Sequence, residues 1–250
     1  MLSALRSIAI ATLFFSTLLH AQAPRTPVLV ELFTSEGCSS CPPADRLLAT
    51  LSTNQPIAAA DIIVLEEHVD YWDGIGWKDR FSSSTFTDRQ NLYAPRLGFD
   101  SPYTPQMVID GRYQFVGNDA SRATAAIAKS TTKHKASLNL SSANIQGRQI
   151  TASVSSSSTL PNGDLYAALV QPSATTQVRG GENGGHKLEH VSIARSFRRI
   201  GRTQDLARSA LTFTLTAPSD IAPANLRLVV FAQQPSQGQV FAVVQSNPTP

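Results

Sequence analysis

Two cysteines three positions apart are the residues of this sequence best suited to chemistry. The 250-residue chain contains only Cys38 and Cys41. A disulfide closing so short a loop gains little stability, because the entropic stabilisation grows with loop length. The same pair can alternate between dithiol and disulfide, with a thiolate as the nucleophile. We therefore predict a redox pair in which Cys38 exchanges with a partner and Cys41 resolves the mixed disulfide.

The elements around the pair are predicted to activate it. A branched, apolar run over residues 28–33 indicates a strand, and the connector Thr34-Ser35-Glu36-Gly37 is typical of a turn. Pro42 and Pro43 favour the first turn of a helix that continues to Leu51. This arrangement predicts that Cys38 lies at a helix N-terminus, where unpaired amides and the helix dipole lower a thiol pKa.

The first half then alternates strands and helices. The turn Asp110-Gly111 predicts a hairpin, and Thr87-Asp88-Arg89-Gln90 matches a capping box whose helix ends at Gly98. The predicted elements are a strand over Ile62–Val69, a helix over Thr87–Leu97, strands over Gln106–Ile109 and Tyr113–Val116, and a helix over Ser121–Lys129 that Asp119 caps.

This order of elements, with CxxC after the first strand and Thr104-Pro105 before the third, resembles the thioredoxin fold. The resemblance implies a cis Pro105 against the cysteines, with Thr104 offering backbone hydrogen bonds to a bound peptide. It also implies a proton-accepting role for Glu31, offset by one residue from the buried carboxylate of thioredoxins, against the alternative of an edge or solvated glutamate. The chain departs from thioredoxins at Gly37 and at Ser39-Ser40.

Three segments are similar to a secreted bacterial thioredoxin-like family known as domain of unknown function 1223 (DUF1223). They are residues 31–45, residues 68–73 and Tyr103-Thr104-Pro105-Gln106. Arg179-Gly180-Gly181-Glu182-Asn183, with His190 and Arg195, resembles the C-terminal signature of that family.

The second half has a different composition, with few Lys and Glu and more Ser and Thr. Short alternating runs separated by turn signals predict an all-β, immunoglobulin-like sandwich. These runs cover residues 136–140, 149–155, 165–170, 187–197, 211–215, 226–231 and 240–244. The prediction is therefore an α/β thioredoxin-like domain over residues 24–133 and a β-sandwich over residues 134–250, the latter in a supporting role.

The first 23 residues have the pattern of a signal peptide. Arg6 precedes a mostly apolar run from Ile8 to Leu19, and Ala21-Gln22-Ala23 supplies a cleavage site. The run is too short to span a bilayer, and no second one follows. We expect a periplasmic or secreted protein cleaved near Ala23, without a membrane span.

Charge and histidine positions narrow the partners. The formal net charge of +3 is too small to support electrostatic binding of nucleic acid. The histidines at positions 68, 134, 186 and 190 have no spacing that requires a metal site, so neither metal nor cofactor is predicted. The dithiol itself could hold Cu(I).

An aromatic stretch completes the candidate site. Tyr71, Trp72 and Trp77 form either a partner-binding loop over the cysteines or part of the core. The leading hypothesis is an extracytoplasmic thiol-disulfide oxidoreductase that acts on protein thiols or disulfides, with Trp72, Thr104 and Pro105 in the binding surface. The alternatives are a Cu(I)-delivery protein and a non-catalytic thioredoxin-like binding scaffold.

Overall fold

A computed structural model describes residues 24–246; the predicted signal peptide lies outside this range. The helices are α1 (Pro42–Asn54), α2 (Ser84–Leu97) and α3 (Ala120–Thr131). The strands of the first half are β1 (Thr26–Thr34), β2 (Ala60–His68), β3 (Gln106–Ile109) and β4 (Tyr113–Val116). Those of the second half are β5 (Leu138–Leu140), β6 (Asn144–Gln146), β7 (Gln149–Ser156), β8 (Asp164–Gln177), β9 (Lys187–Arg202), β10 (Leu211–Thr216), β11 (Arg227–Gln233) and β12 (Val240–Ser246).

Local sequence signals explain where the helices begin and end. Two prolines open α1, where a missing amide donor costs little. Ser83 caps α2 by accepting a hydrogen bond from the amide of Thr85, so this helix begins three residues before the predicted Thr87. It ends at Gly98, as predicted, in the left-handed conformation. Within residues 24–246, none of the helices combines the length and apolar character needed to cross a membrane.

One mixed sheet of eight strands runs through both halves of the chain, in the order β12-β11-β8-β9-β2-β1-β3-β4. Strands β1 and β2 are parallel along nine residue pairs, and the hairpin β3–β4 is antiparallel to β1. On the other side, β8 and β9 form a long antiparallel hairpin. The two groups meet at β2 and β9, where one register pair is formed, Glu66 with Ile193.

This sheet overturns the predicted fold class of a thioredoxin-like domain followed by an immunoglobulin-like sandwich. The strands of the second half lie close to the predicted runs, but β8, β9, β11 and β12 extend the sheet of the first half. Both faces of the extended part are covered: Leu165, Ala167 and Leu169 pack in one core cluster, while Ala168 and Val170 pack in another. The alternation of residues located the strands, but it carried no information about their partners.

The remaining strands form a small second sheet, with the order β10-β7-β5 and β6 paired to β7. Its apolar face packs against the extended part of the large sheet, through Ile150, Val154 and Phe213 against Leu169 and Val230. The other face of the large sheet's first half carries α1 and α3, which pack on Val28, Val30 and Leu32. The core is thus a set of connected layers around one sheet.

A buried ion pair fixes the segment between the two halves. Lys135 donates to Asp110 at 2.7 Å and to the carbonyl of Val240 at 2.8 Å. Asp110, in the β3–β4 turn, also accepts a hydrogen bond from the amide of Leu29. The start of the second half is therefore bound to β1, to the β3–β4 turn and to β12.

We expect Lys135→Met to destabilise the protein by about 3–5 kcal/mol, because it leaves the Asp110 carboxylate buried without its cation. Unfolding by denaturant measures the loss. The matched control is Lys133→Met at an exposed position, expected to change stability by less than about 0.5 kcal/mol. Adding Asp110→Asn to Lys135→Met should recover part of the loss; equal stability of Lys135→Met and wild type would contradict the assignment.

Candidate functional site

Cys38 and Cys41 form a disulfide, with their Cα atoms 5.4 Å apart. The structure corrects the predicted helix position: Cys41, not Cys38, is the N-cap residue of α1. The carbonyl of Cys41 accepts hydrogen bonds from the amides of Ala44 and Asp45. Because Pro42 and Pro43 have no amide hydrogen, the first turn of α1 offers fewer donors to a thiolate than we predicted.

A loop of the second half holds the segment that contains Cys38. The side-chain amide of Asn183 donates to the carbonyls of Glu36 and Cys38, at 2.9 and 3.0 Å. Glu182 accepts from the amide and the hydroxyl of Ser39, and these hydrogen bonds lower the pKa of Glu182. Both cysteine side chains are buried, so exchange with another protein requires this segment to open.

Trp72, Thr104 and Pro105 lie together beside the disulfide segment. The indole of Trp72 donates to the hydroxyl of Thr104 at 2.8 Å, and the Thr104–Pro105 peptide bond is cis. A Cβ atom at Gly37 would lie 3.2 Å from the Cβ of Trp72, so glycine permits this close approach. The neighbouring Tyr71 is partly exposed.

Glu31, the predicted proton acceptor, faces away from α1. Its neighbours Val30 and Leu32 pack in the core cluster that contains α1, whereas the Glu31 carboxylate binds Arg89 at 2.6 Å and Tyr93 at 2.6 Å. Successive side chains of a strand point to opposite faces. The offset of one residue therefore places Glu31 on the far side of the sheet from the helix that Cys41 caps.

Asp45 is the buried carboxylate on the α1 side. It lies one helical turn after Cys41, a spacing that puts both residues on the same side of the helix, and it accepts a hydrogen bond from Thr34 at 2.8 Å. Burial, followed by the charge of Glu66, raises the pKa of Asp45 to about 7. The sequence analysis did not single out Asp45, although its position four residues after Cys41 was a readable signal.

Behind the disulfide segment lies a buried cluster of histidines and carboxylates. His68 Nδ1 is 2.6 Å from Asp79, and His190 Nδ1 is 2.7 Å from Glu66. Glu66 also accepts the amide of Val191 at 2.7 Å. The sequence suggested neither carboxylate partner, because the contacts join β9 to β2 and to the loop after β2.

Glu36 connects this cluster to the disulfide segment. Its amide donates to Asp79 and its Oε2 atom accepts the indole hydrogen of Trp77 at 2.7 Å. Its Oε1 atom lies 3.6 Å from His190 Nε2. Glu36 is fully buried two positions before Cys38, so the cluster and the disulfide share one short stretch of chain.

The cluster strongly shifts the pKa values of its members. Burial disfavours charged histidines, but Asp79 outweighs it for His68, whose pKa is raised well above its ordinary value. Hydrogen bonds from Glu36 and Glu66 likewise outweigh burial and raise the pKa of His190 to about 9. For Asp79, His68 outweighs burial and lowers the pKa to about 2.

The other two histidines lie elsewhere. His134 and His186 are exposed, and the ring of His186 lies near the carbonyl of Asn183. The structure thus brings together His68 and His190 out of the four.

Comparison with known proteins identifies the family. Residues 29–233 match the family described as "Protein of unknown function (DUF1223)". The chain belongs to this family. A comparison with curated proteins found no match.

Two solved structures are similar to this DUF1223 chain. One is the crystal structure of a protein from Agrobacterium tumefaciens, with 24% sequence identity and a TM-score of 0.68, covering 91% of this chain and 96% of that chain. This similarity concerns the fold alone. The other, a domain of the outer membrane lipoprotein Omp28 from Porphyromonas gingivalis, has 17% identity, a TM-score of 0.27 and coverage of 47% of this chain and 98% of that chain. A score that low carries no argument.

We expect Asn183→Ala to speed reduction of the disulfide by dithiothreitol roughly tenfold, because losing two buried hydrogen bonds, each about 0.5–1.5 kcal/mol, favours local opening. Stopped reactions with mass-labelled free thiols measure the rate. The control is Asn144→Ala at an exposed position on β6, which should leave the rate unchanged. An unchanged rate in Asn183→Ala would show that Asn183 does not restrain the Cys38 segment.

Proposed function

We propose that this protein is a thiol-disulfide oxidoreductase that acts outside the cytoplasm on protein thiols or disulfides. The observation that carries the proposal is the Cys38–Cys41 disulfide at the start of α1, with Asp45 one turn later. The pKa of about 7 allows Asp45 to give or take a proton at neutral pH. The extracytoplasmic location follows from the predicted signal peptide and suits a disulfide, which persists in oxidising compartments.

The exchange begins when a partner thiolate attacks the Sγ atom of Cys38. A bond forms between the partner's sulfur and Cys38, the bond between Cys38 and Cys41 breaks, and Cys41 leaves with the electron pair. Asp45 then gives its proton to the Cys41 thiolate. The partner's second thiolate attacks its own sulfur in the mixed disulfide, and Cys38 leaves as a thiolate. The partner has lost two electrons, and the protein has gained them.

The reverse sequence reduces a partner disulfide. In that direction Cys38 attacks, and Asp45 accepts the proton of Cys41 as Cys41 resolves the mixed disulfide. The hydroxyl of Ser40 lies 3.4 Å from the Sγ atom of Cys38, where it can donate to the thiolate in either direction. These roles use groups that lie in or next to the disulfide segment.

The partner is proposed to bind beside Trp72, Thr104 and Pro105. Tyr71 and Ile75 are exposed large apolar side chains next to this group, and aromatic side chains contribute strongly to protein interfaces. Binding of a peptide there would displace the segment that Asn183 and Glu182 hold and would expose Cys38.

The burial of both cysteines favours one competing function, a binding scaffold with a permanently closed disulfide. A structural disulfide is difficult to reduce, whereas an exchange enzyme must be reduced and reoxidised by its partners. The reduction potential therefore separates the two functions.

We expect the Cys38–Cys41 pair to have a reduction potential between about −120 and −270 mV, the range of exchange enzymes. The potential is obtained by equilibrating the protein in glutathione buffers and trapping free thiols with a mass label. Reduction of insulin should accompany it and disappear in Cys38→Ala. A potential below about −300 mV would instead identify a structural disulfide and support the scaffold.

We expect Asp45→Asn to slow attack by Cys41 about 100-fold at neutral pH, within the range of general base catalysis. A mixed disulfide of Cys38 with thionitrobenzoate reports the attack, since Cys41 then expels a coloured thiolate. In the wild type the rate should rise as pH increases through about 7, because Asp45 loses its proton there; Asp45→Asn should lack this rise.

The control for this experiment is Asp88→Asn, which changes an exposed aspartate of α2 and should retain the wild-type pH profile. The proton-transfer role of Asp45 fails if Asp45→Asn has the same rate and profile as the wild type.

A further inference from the structure

The buried cluster has the arrangement of a metal site. One ring nitrogen of His68, one of His190 and one carboxylate oxygen of Glu66 lie within 4.8 Å of one another, and all three residues are buried. Each imidazole is oriented by a carboxylate at its Nδ1 atom, Asp79 for His68 and Glu66 for His190. Such carboxylate–histidine pairs are typical of histidines that bind a metal through the other nitrogen.

Three polar atoms of the cluster have no hydrogen-bond partner among residues 24–246: His68 Nε2, His190 Nε2 and Glu36 Oε1. An unpartnered buried polar atom is costly. His68 Nε2 lies 3.6 Å from Glu66, and His190 Nε2 lies 3.6 Å from Glu36. These contacts are too long for hydrogen bonds, so protonating the histidines would not satisfy these atoms at their present separations.

The same separations suit two ligand atoms of one ion. Zinc binds histidine nitrogen at about 2.0–2.1 Å and carboxylate oxygen at about 2.0–2.2 Å, so neighbouring ligand atoms around a tetrahedral ion lie about 3.4–3.6 Å apart. We propose that His68, His190, Glu66 and Glu36 form a buried binding site for a divalent ion of the zinc class.

The donor types determine the class of ion. Two imidazoles with carboxylates suit zinc and similar transition metals, whereas magnesium and calcium prefer sites built from oxygen. Cu(I) prefers thiolates and thioethers, and the cysteine sulfurs are joined in the disulfide. This site is therefore distinct from a dithiol that binds copper.

The ion would join three segments that are distant in sequence. Glu36 precedes the disulfide, Glu66 and His68 end β2, and His190 lies on β9. The inference goes beyond the proposed function, since the site needs no thiol and would exist in either redox state.

The test uses the oxidised protein, in which the cysteines cannot bind zinc as thiolates. Because the cluster is enclosed, zinc is supplied during expression and also to folded, chelator-treated protein. We expect one zinc ion per chain by elemental analysis and a rise in melting temperature with zinc concentration. X-ray absorption at the zinc edge should show nitrogen and oxygen ligands near 2.0–2.2 Å, without sulfur.

Variants link the binding to the cluster. His190→Gln and Glu36→Gln should each lose zinc, and Asp79→Asn, which removes the partner that orients His68, should weaken binding about 10- to 100-fold. The matched control is His186→Gln, an exposed histidine four positions from His190, which should bind as the wild type does.

Three results would overturn the site: no zinc retained by oxidised wild type, retention that persists in both His190→Gln and Glu36→Gln, or a sulfur ligand near 2.3 Å. If His190→Gln does not fold, Glu36→Gln and the absorption spectrum of the wild type still decide. Failure of the redox assays would leave this outcome unaffected, since zinc binding is measured without turnover.

Discussion

The buried carboxylate of Glu66 holds the two halves of the large sheet together. Between β2 and β9 one register pair is formed, and the Glu66 side chain supplements it by accepting from the amide of Val191 and binding His190. Burial would raise the pKa of Glu66, but His190 and His68 outweigh it and hold that pKa below its ordinary value. An ionised carboxylate at the junction thus replaces part of the usual backbone ladder, and its histidines offset the cost of burying it.

The opposite face of the same junction contains a second charged cluster. Arg89 of α2 reaches into the sheet and binds Glu31, while its guanidinium carbon lies 4.8 Å from the ring centre of Phe197 and 5.2 Å from that of Phe231. Glu67 lies beside Arg89, on the face opposite Glu66 because neighbouring residues of a strand alternate. Charged groups therefore stabilise the contact between the halves from both faces, which explains why the second half does not form a separate sandwich.

Local patterns in the sequence were sufficient to locate most elements but not to assemble them. The seven runs of the second half and the hairpin at Asp110-Gly111 lie close to the observed strands, because alternation and turn chemistry are local properties. The junction between β2 and β9 depends on Glu66, whose contacts with Val191 and His190 span more than 120 positions and have no local pattern. The site shows the same limit in a sharper form: Cys38 and Cys41 were found from their spacing, whereas choosing Glu31 instead of Asp45 follows from a shift of one residue that reverses the face of a strand.

The position of Glu36 couples the disulfide to the junction. Its amide is bound by Asp79, its carboxylate by Trp77, and its carbonyl by Asn183, so the backbone two positions before Cys38 is held from three directions. Opening the disulfide segment must release at least the contact with Asn183, whereas the other two can persist because they lie on the side of the buried cluster. The firmness of that cluster then sets how far the opening spreads: a well-held Glu36 confines the movement to residues 37–41, and a loosened one extends it to Trp77 and the junction itself.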